Sequence, residues 1–205
     1  MSRVLGAIIA GGRSERYGSP KALAVLGGER LVDRVARALA AAADQVVVIA
    51  NDPSLATQIG LPWRPDELRD IGSLAGVHAA LRWAAELHCG GVLATAADLP
   101  LLSAALLRRL RALAADGWDA VLPESTGPRG VEPLCAYYST SCIGPIERAA
   151  ARGDARMIGF HADVRVYRLP LAQVRDFGEP ERLFANLNTP ADRVALERVI
   201  GQETS

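Results

Sequence analysis

Apolar positions in this chain fall into two rhythms. Continuous apolar runs rich in β-branched residues stand at 4–10, 46–50 and 92–97, and their length and composition predict buried strands. Between them, apolar residues recur at helical spacing. Leu31, Val32, Val35 and Leu39 mark a helix over 31–43, and Leu74, Val77, Leu81 and Ala84 mark another over 74–87. Ser103 is placed to cap a third over 104–115. A short helix is expected near 55–59, an extended edge over 60–66 and a strand over 119–123. The segment 22–28 is a short apolar piece closed by a glycine turn. A strand entered through a proline covers 131–138, and Ser141 is placed to cap a helix reaching about Arg152. Residues 164–169 alternate strictly and predict an edge strand with one wet face. The segment 184–188 reads as a short strand or turn. Thr189, Pro190 and Asp192 then supply an N-cap, an N1 proline and an N3 acid for a final helix.

Strand, helix and strand in succession make parallel βαβ units with right-handed crossovers. The pattern predicts an α/β fold: a single three-layer α/β/α domain over residues 1–200 with a mostly parallel, Rossmann-like sheet, and a disordered tail over 201–205. Ligands of such sheets bind beyond the C-terminal strand ends. Gly11, Gly12, Asn51, Asp66 and Asp98 all follow predicted strands and should gather on that edge.

The chemistry concentrates at the end of the first strand. Ile9-Ala10-Gly11-Gly12 leads into a polar loop with Arg13, Ser14 and Arg16, then Gly18 and Lys21. Glycines let backbone N–H groups approach a ligand closely, and successive N–H groups form an anion-binding concavity. Arg13, Arg16 and Lys21 add positive charge, so a triphosphate is the expected guest. The loop is not a Walker A sequence, since Arg16 stands where Gly-Lys should begin, and it lacks the third glycine of the dinucleotide fingerprint. Asp98 ends an apolar strand before Leu-Pro. It reads either as a turn former or, facing a triphosphate, as a Mg2+ ligand. Asp66 or Asp70 could accept from the N1–H and N2–H2 donors of guanine, with Gly72 and Gly76 admitting a purine close to backbone. Either acid could instead be a solvated cap. Asn186 and Asn188, before a helix N-terminus, are candidates for an anionic acceptor substrate, and Glu132-Pro133 joins that region. His78, His88 and His161 form no nucleophile–base pattern and read as packing or surface residues, the first two within a helix. No triad supports Ser14 as a nucleophile.

Composition narrows the classes. The chain has 205 residues, 50% of them hydrophobic, enough for a full core. Its 23 basic and 23 acidic side chains balance, and aromatic residues are only 5%, which argues against nucleic-acid partners. No signal pattern and no apolar stretch of membrane-spanning length is present, so a cytoplasmic protein is expected. Cys89, Cys135 and Cys142 fit no zinc spacing and read as reduced packing residues.

The first motif resembles the L/I-A-G-G-x-S-x-R-x-G-x-x-K signature of the sugar-nucleotide-type nucleotidyltransferases. The ordered set narrows the resemblance. Val46 to Asn51, Asp70-x-Gly72-x-Leu74-Ala75-Gly76, Asp98-x-Pro100, Glu132-Pro133-Leu134 and Asn186-x-Asn188-Thr189-Pro190-x-Asp192 are similar to the molybdenum cofactor guanylyltransferases of the MobA type. Tyr17 and Ser73 depart from the usual methionine and proline, and Ile49 stands where some members carry an asparagine. The resemblance implies a nucleotide-diphospho-sugar transferase-like fold and transfer of GMP from GTP to molybdenum-molybdopterin with release of pyrophosphate. It also implies that Ile9, Ala10, Gly11, Gly12 and Lys21 hold the triphosphate, that Asn51, Asp66 and Gly72 lie at the nucleotide, that Asp98 binds Mg2+, and that Asn186 and Asn188 face the pterin. Lys21, Arg16 and Asp98 would carry the catalysis. Molybdenum cofactor insertion or delivery proteins and target molybdoenzymes are the implied partners. Two other readings stand beside it: a CTP-using or other small-molecule nucleotidyltransferase, and a non-catalytic carrier of the cofactor.

Overall fold

A computed structural model describes residues 2–10, 21–68, 71–187 and 189–203. Its centre is a seven-stranded sheet. In chain order the strands are β1 (Val4–Ile9), β4 (Gln45–Ile49), β5 (Trp63–Arg64), β6 (Gly91–Ala96), β7 (Ala120–Pro123), β8 (Cys135–Ser139) and β9 (Val166–Leu169), and a small hairpin of β2 (Val25–Leu26) and β3 (Glu29–Arg30) stands apart. The spatial order is β5-β4-β1-β6-β8-β7-β9. β5, β4, β1 and β6 are parallel, as are β7 and β9, whereas β8 runs antiparallel to both of its neighbours. Every residue of β1 is buried, as a central parallel strand requires.

The pleat sorts the central strands onto two faces. Leu5, Ala7, Ile9, Val47, Ile49, Val92 and Ala94 face a core built with helices α3 (Ser73–Glu86) and α5 (Ile143–Ala151). Val4, Ile8, Val48 and Leu93 face the opposite core, built with α1 (Leu31–Ala40), α2 (Pro53–Ile59) and α4 (Ala104–Ala114). Val174 of the short α6 (Leu171–Val174) and Leu183 of α7 (Pro180–Leu183) complete that second core. This is the α/β/α sandwich that the periodicity predicts. A third, smaller core lies off the sheet, where Leu26 and Leu31 meet Leu187, Leu196 and Ile200 on and before α8 (Pro190–Glu203).

Local chemistry explains the boundaries. The Ser103 hydroxyl accepts the Leu106 N–H at 3.3 Å, as expected of a cap. Thr189 and Asp192 form a reciprocal capping box: the Thr189 N–H donates to Asp192 Oδ2 at 2.7 Å and the Asp192 N–H to Thr189 Oγ1 at 3.1 Å. Other details differ from the sequence reading. Ser139 caps the short turn ahead of α5, its Oγ accepting from the Ser141 N–H, while Ser141 Oγ donates to Asp119 and α5 itself follows Cys142 with no side-chain cap. A 3-10 turn over Thr140–Cys142 precedes the helix. His88 lies past the end of α3 at φ +53° rather than inside it. The loop 124–130 is closed by a bridge between Glu124 and Val131 and by the Ser125 N–H on the Gly130 carbonyl. α8 continues to Glu203, so 201–203 are helical where a disordered tail was expected. Within 22–28 the apolar piece takes a 3-10 turn and β2, and Gly27 and Gly28, at φ +58° and +81°, close it as the expected glycine turn. The three cysteines are buried free thiols, and burial pushes Cys142 up to about 12. Among the described residues no helix is long and apolar enough to cross a membrane.

Candidate active site at the carboxyl edge of the sheet

Sheet hydrogen bonds run one residue past the strand ends and align the functional loops. The Ala10 N–H donates to Ile49 O at 2.9 Å, Ala97 N–H to Ile9 O at 3.3 Å and Ala50 N–H to Arg64 O at 3.0 Å. The residues that follow, Asn51, Asp66 and Asp98, are thereby set along one edge, as the strand pattern requires.

Two pairs form there. The Lys21 ammonium donates to Asp98 Oδ2 at 2.5 Å across 77 positions of sequence, with the side chains 16% and 27% exposed. A half-buried ammonium–carboxylate pair keeps both charges in place while leaving one face open to solvent and ligand. Beside it, the Asn51 amide donates from Nδ2 to Asp66 Oδ2 at 2.8 Å and accepts the Asp66 N–H on Oδ1 at 2.9 Å. This pair of bonds ties the Asp66 backbone and carboxylate to the Asn51 side chain. The sequence named both residues but not their coupling, because a contact across 15 residues and a sheet edge leaves no local signal.

Gly72 and Gly76 have different reasons to be glycine. Gly72 sits at φ +54°, ψ −137° before α3, where L side chains are strained, and a Cβ there would meet open space. A Cβ on Gly76 would stand 2.7 Å from Ile9 Cγ2 and 3.8 Å from Ile49 Cγ2. Gly76 thus lets α3 lie on β1 and β4, and its backbone faces the core instead of a purine. Ile9 supplies that packing surface and is itself buried. The Ala10 N–H is engaged by Ile49, so an anion-binding run of amides starts no earlier than Gly11. Gly11, Gly12, Arg13, Ser14, Arg16, Asp70 and Asn188 lie outside the described residues.

In the segment expected to meet the acceptor, the Leu187 N–H approaches the Asp98 carbonyl at 3.4 Å, which ties the residue after Asn186 to the loop of the Lys21–Asp98 pair. The strand pairing of Ala96 N–H to Leu134 O at 3.0 Å brings Glu132 to the same end. Glu132 is pushed above the usual carboxylate range, first by burial, against the Leu134 N–H it accepts and the Arg129 charge, and then by the nearby Asp98 carboxylate. The segment suggested by the sequence therefore does reach the site. The histidines do not: the His78 ring is buried against Glu147 between α3 and α5, with Nε2 3.0 Å from Oε1. His161 packs edge-on to Phe160.

Known proteins are similar to this chain in sequence and in fold. The MobA-like NTP transferase domain matches residues 6–165. A probable molybdenum cofactor guanylyltransferase of Pelotomaculum thermopropionicum is 34% identical over 95% of this chain and 92% of its own length. A molybdenum cofactor guanylyltransferase of Cereibacter sphaeroides is 34% identical, covering 98% of this chain and 99% of the relative. Among solved structures, molybdopterin-guanine dinucleotide biosynthesis protein A of Archaeoglobus fulgidus superposes with a TM-score of 0.80 at 28% identity, over 97% of this chain and 99% of that one. A 2-C-methyl-D-erythritol 4-phosphate cytidylyltransferase of Thermus thermophilus shares the fold at a TM-score of 0.65 and 19% identity.

Proposed function

Since the chain belongs to the MobA-like NTP transferase family, as a nucleotidyltransferase of the molybdenum cofactor guanylyltransferase branch, we propose that it transfers the GMP unit of GTP to molybdenum-molybdopterin, yielding the guanine dinucleotide and pyrophosphate. The observation that carries this reading is the Lys21–Asp98 pair at the carboxyl edge of the parallel strands. A terminal phosphate on the acceptor attacks the α-phosphorus of GTP in line. The new P–O bond forms as the bond to the β-phosphate oxygen breaks, and the electron pair leaves with pyrophosphate. Such a nucleophile is already anionic near neutral pH, so no strong general base is needed. That agrees with the placement of His78 and His161 in packing positions. What remains is positioning and charge neutralisation.

Asp98 is the residue to hold Mg2+, which would supply neutralisation of the triphosphate charge. The fit is chemical. Mg2+ takes one or two carboxylates and completes its shell with water and phosphate oxygens, and Asp98 Oδ1 has no partner among the described residues. No group of three or more His, Cys, Asp or Glu side chains is arranged for a metal among those residues, so a protein-only cage is not the design. Lys21 neutralises charge on the phosphates from the other side, with Arg16 assigned to the same task. Asp66, oriented by Asn51, receives the guanine donors, and Asn186 with Asn188 receives the pterin. A carboxylate matches the adjacent N1–H and N2–H2 donors of guanine, a pair that cytosine lacks.

Label transfer tests the reaction. With molybdenum-loaded molybdopterin, Mg2+ and GTP labelled at the α-phosphorus, the label should appear in the dinucleotide; label at the γ-phosphorus should leave in pyrophosphate. Recovery of the α-label as free GMP, or pterin binding without any phosphate release, contradicts the transfer and favours a hydrolase or a carrier.

A further inference from the structure

The third core stands in a particular relation to the Lys21–Asp98 pair. Each member of the pair is flanked identically. One residue on, Ala22 and Leu99 enter the second core; three residues on, Ala24 and Leu101 pack against the third. Leu187 joins the same cluster at 1% exposure, and its N–H is the one that reaches the Asp98 carbonyl. The far wall is α8. Ile200 fills the space against Gly27, where a Cβ would stand 2.9 Å from Ile200 Cγ2, and Leu196 is 3% exposed. Arg193 ties the helix to the hairpin through the Val25 carbonyl at 3.1 Å. The hairpin is tied back to the pair's lysine by Leu31 N–H on Ala24 O at 2.9 Å and Ala24 N–H on Lys21 O at 3.0 Å.

We infer that Leu187, Leu196 and Ile200 are positioning residues: the C-terminal segment packs a small core whose function is to hold the loops of Lys21 and Asp98 at ion-pair distance. This rests on the catalytic reading of that pair. The sheet fixes where β1 and β6 end, but Lys21 lies a dozen positions beyond β1, so the sheet alone cannot set the distance between the two side chains. A cluster that touches both loops at equivalent positions can. The same segment carries Asn186, so acceptor-side residues and the catalytic pair move as one body.

The test is a double-mutant cycle on turnover, run well below the melting temperature with the complete chain. Leu196→Ala, remote from both charges, should lower kcat about tenfold or more with far-UV circular dichroism intact, and Leu196→Met should restore most of it. In a Lys21→Ala background the same Leu196→Ala change should cost at least about fivefold less, because the pair it acts through is already gone. Should Leu196→Ala not fold, Ile200→Val removes one methylene and serves the same cycle with a smaller drop. Wild-type kcat in the folded variant, or equal losses in both backgrounds, overturns the positioning role and leaves the third core a stability element. Silence of the wild-type enzyme with every nucleoside triphosphate instead overturns the catalytic reading on which it rests.

Discussion

At the scale of single residues, the account turns on Asp98 and Lys21. Their side chains are half-buried and paired at 2.5 Å, so removing either leaves an uncompensated charge as well as a lost contact. Asp98→Ala should abolish turnover while the far-UV spectrum remains native-like; normal activity would remove Asp98 from the site. Lys21→Ala should lower kcat at least about 100-fold, the scale of a lost charge-stabilising group in a transition state. Steady-state rates close to wild type would contradict that. A different residue governs pH. Burial, helped by the Arg168 charge, lowers His161 from 6.5 to about 4. As pH falls below about 6.5 the unfolded chain takes up this proton first, so the neutral ring's contribution to stability is full above that value and is lost on the way down to about 4. Melting temperature should therefore drop between pH 6.5 and 4, and His161→Phe, which keeps the stack on Phe160, should flatten part of that drop. Identical pH profiles for the two proteins would rule out His161 as the source.

At the scale of elements, much was legible because the cause was local. β1, α1, α3 and the capping box of α8 follow from apolar spacing and cap chemistry in a few consecutive residues. What was not legible depends on partners distant in sequence. Ser141 is the cap its position suggests, but Asp119 draws off its hydroxyl from across the fold, and Ser139 caps the short turn ahead of the helix instead. Gly76 reads like Gly72 in the sequence, yet one meets Ile9 and the other meets nothing. The seat of α3 on β1 gives a direct check. Gly76→Ala drives a methyl into Ile9 at 2.7 Å, and overpacking of this kind costs about 1–3 kcal/mol. A denaturant titration should show that loss, accompanied by weaker GTP binding as the start of α3 shifts. Unchanged stability would mean that the helix can move off the sheet without cost.

At the scale of the whole molecule, the chain builds two large cores against the faces of one sheet and a small one beside its ligand edge. The alternation of strands and helices made the first two foreseeable. The third was not, because its members come from positions 26 to 31 and 187 to 200 and no periodicity links them. Nor did periodicity reveal that β8 runs against its neighbours, since a buried strand has the same pattern in either direction. The strand-end positions foretold that Asn51, Asp66 and Asp98 share one edge, but not the pairings of Asn51 with Asp66 and of Lys21 with Asp98, which only the folded edge creates.

The most direct measurement is pyrophosphate release from the intact protein with Mg2+ and molybdenum-loaded molybdopterin, run in parallel with GTP, CTP, ATP and UTP. The account predicts release with GTP and none above background with the other three, with Asp66 as the reader of the base. Release with CTP in place of GTP would contradict the assignment of Asp66 and of the product. No release with any of the four would contradict nucleotidyl transfer to this acceptor altogether.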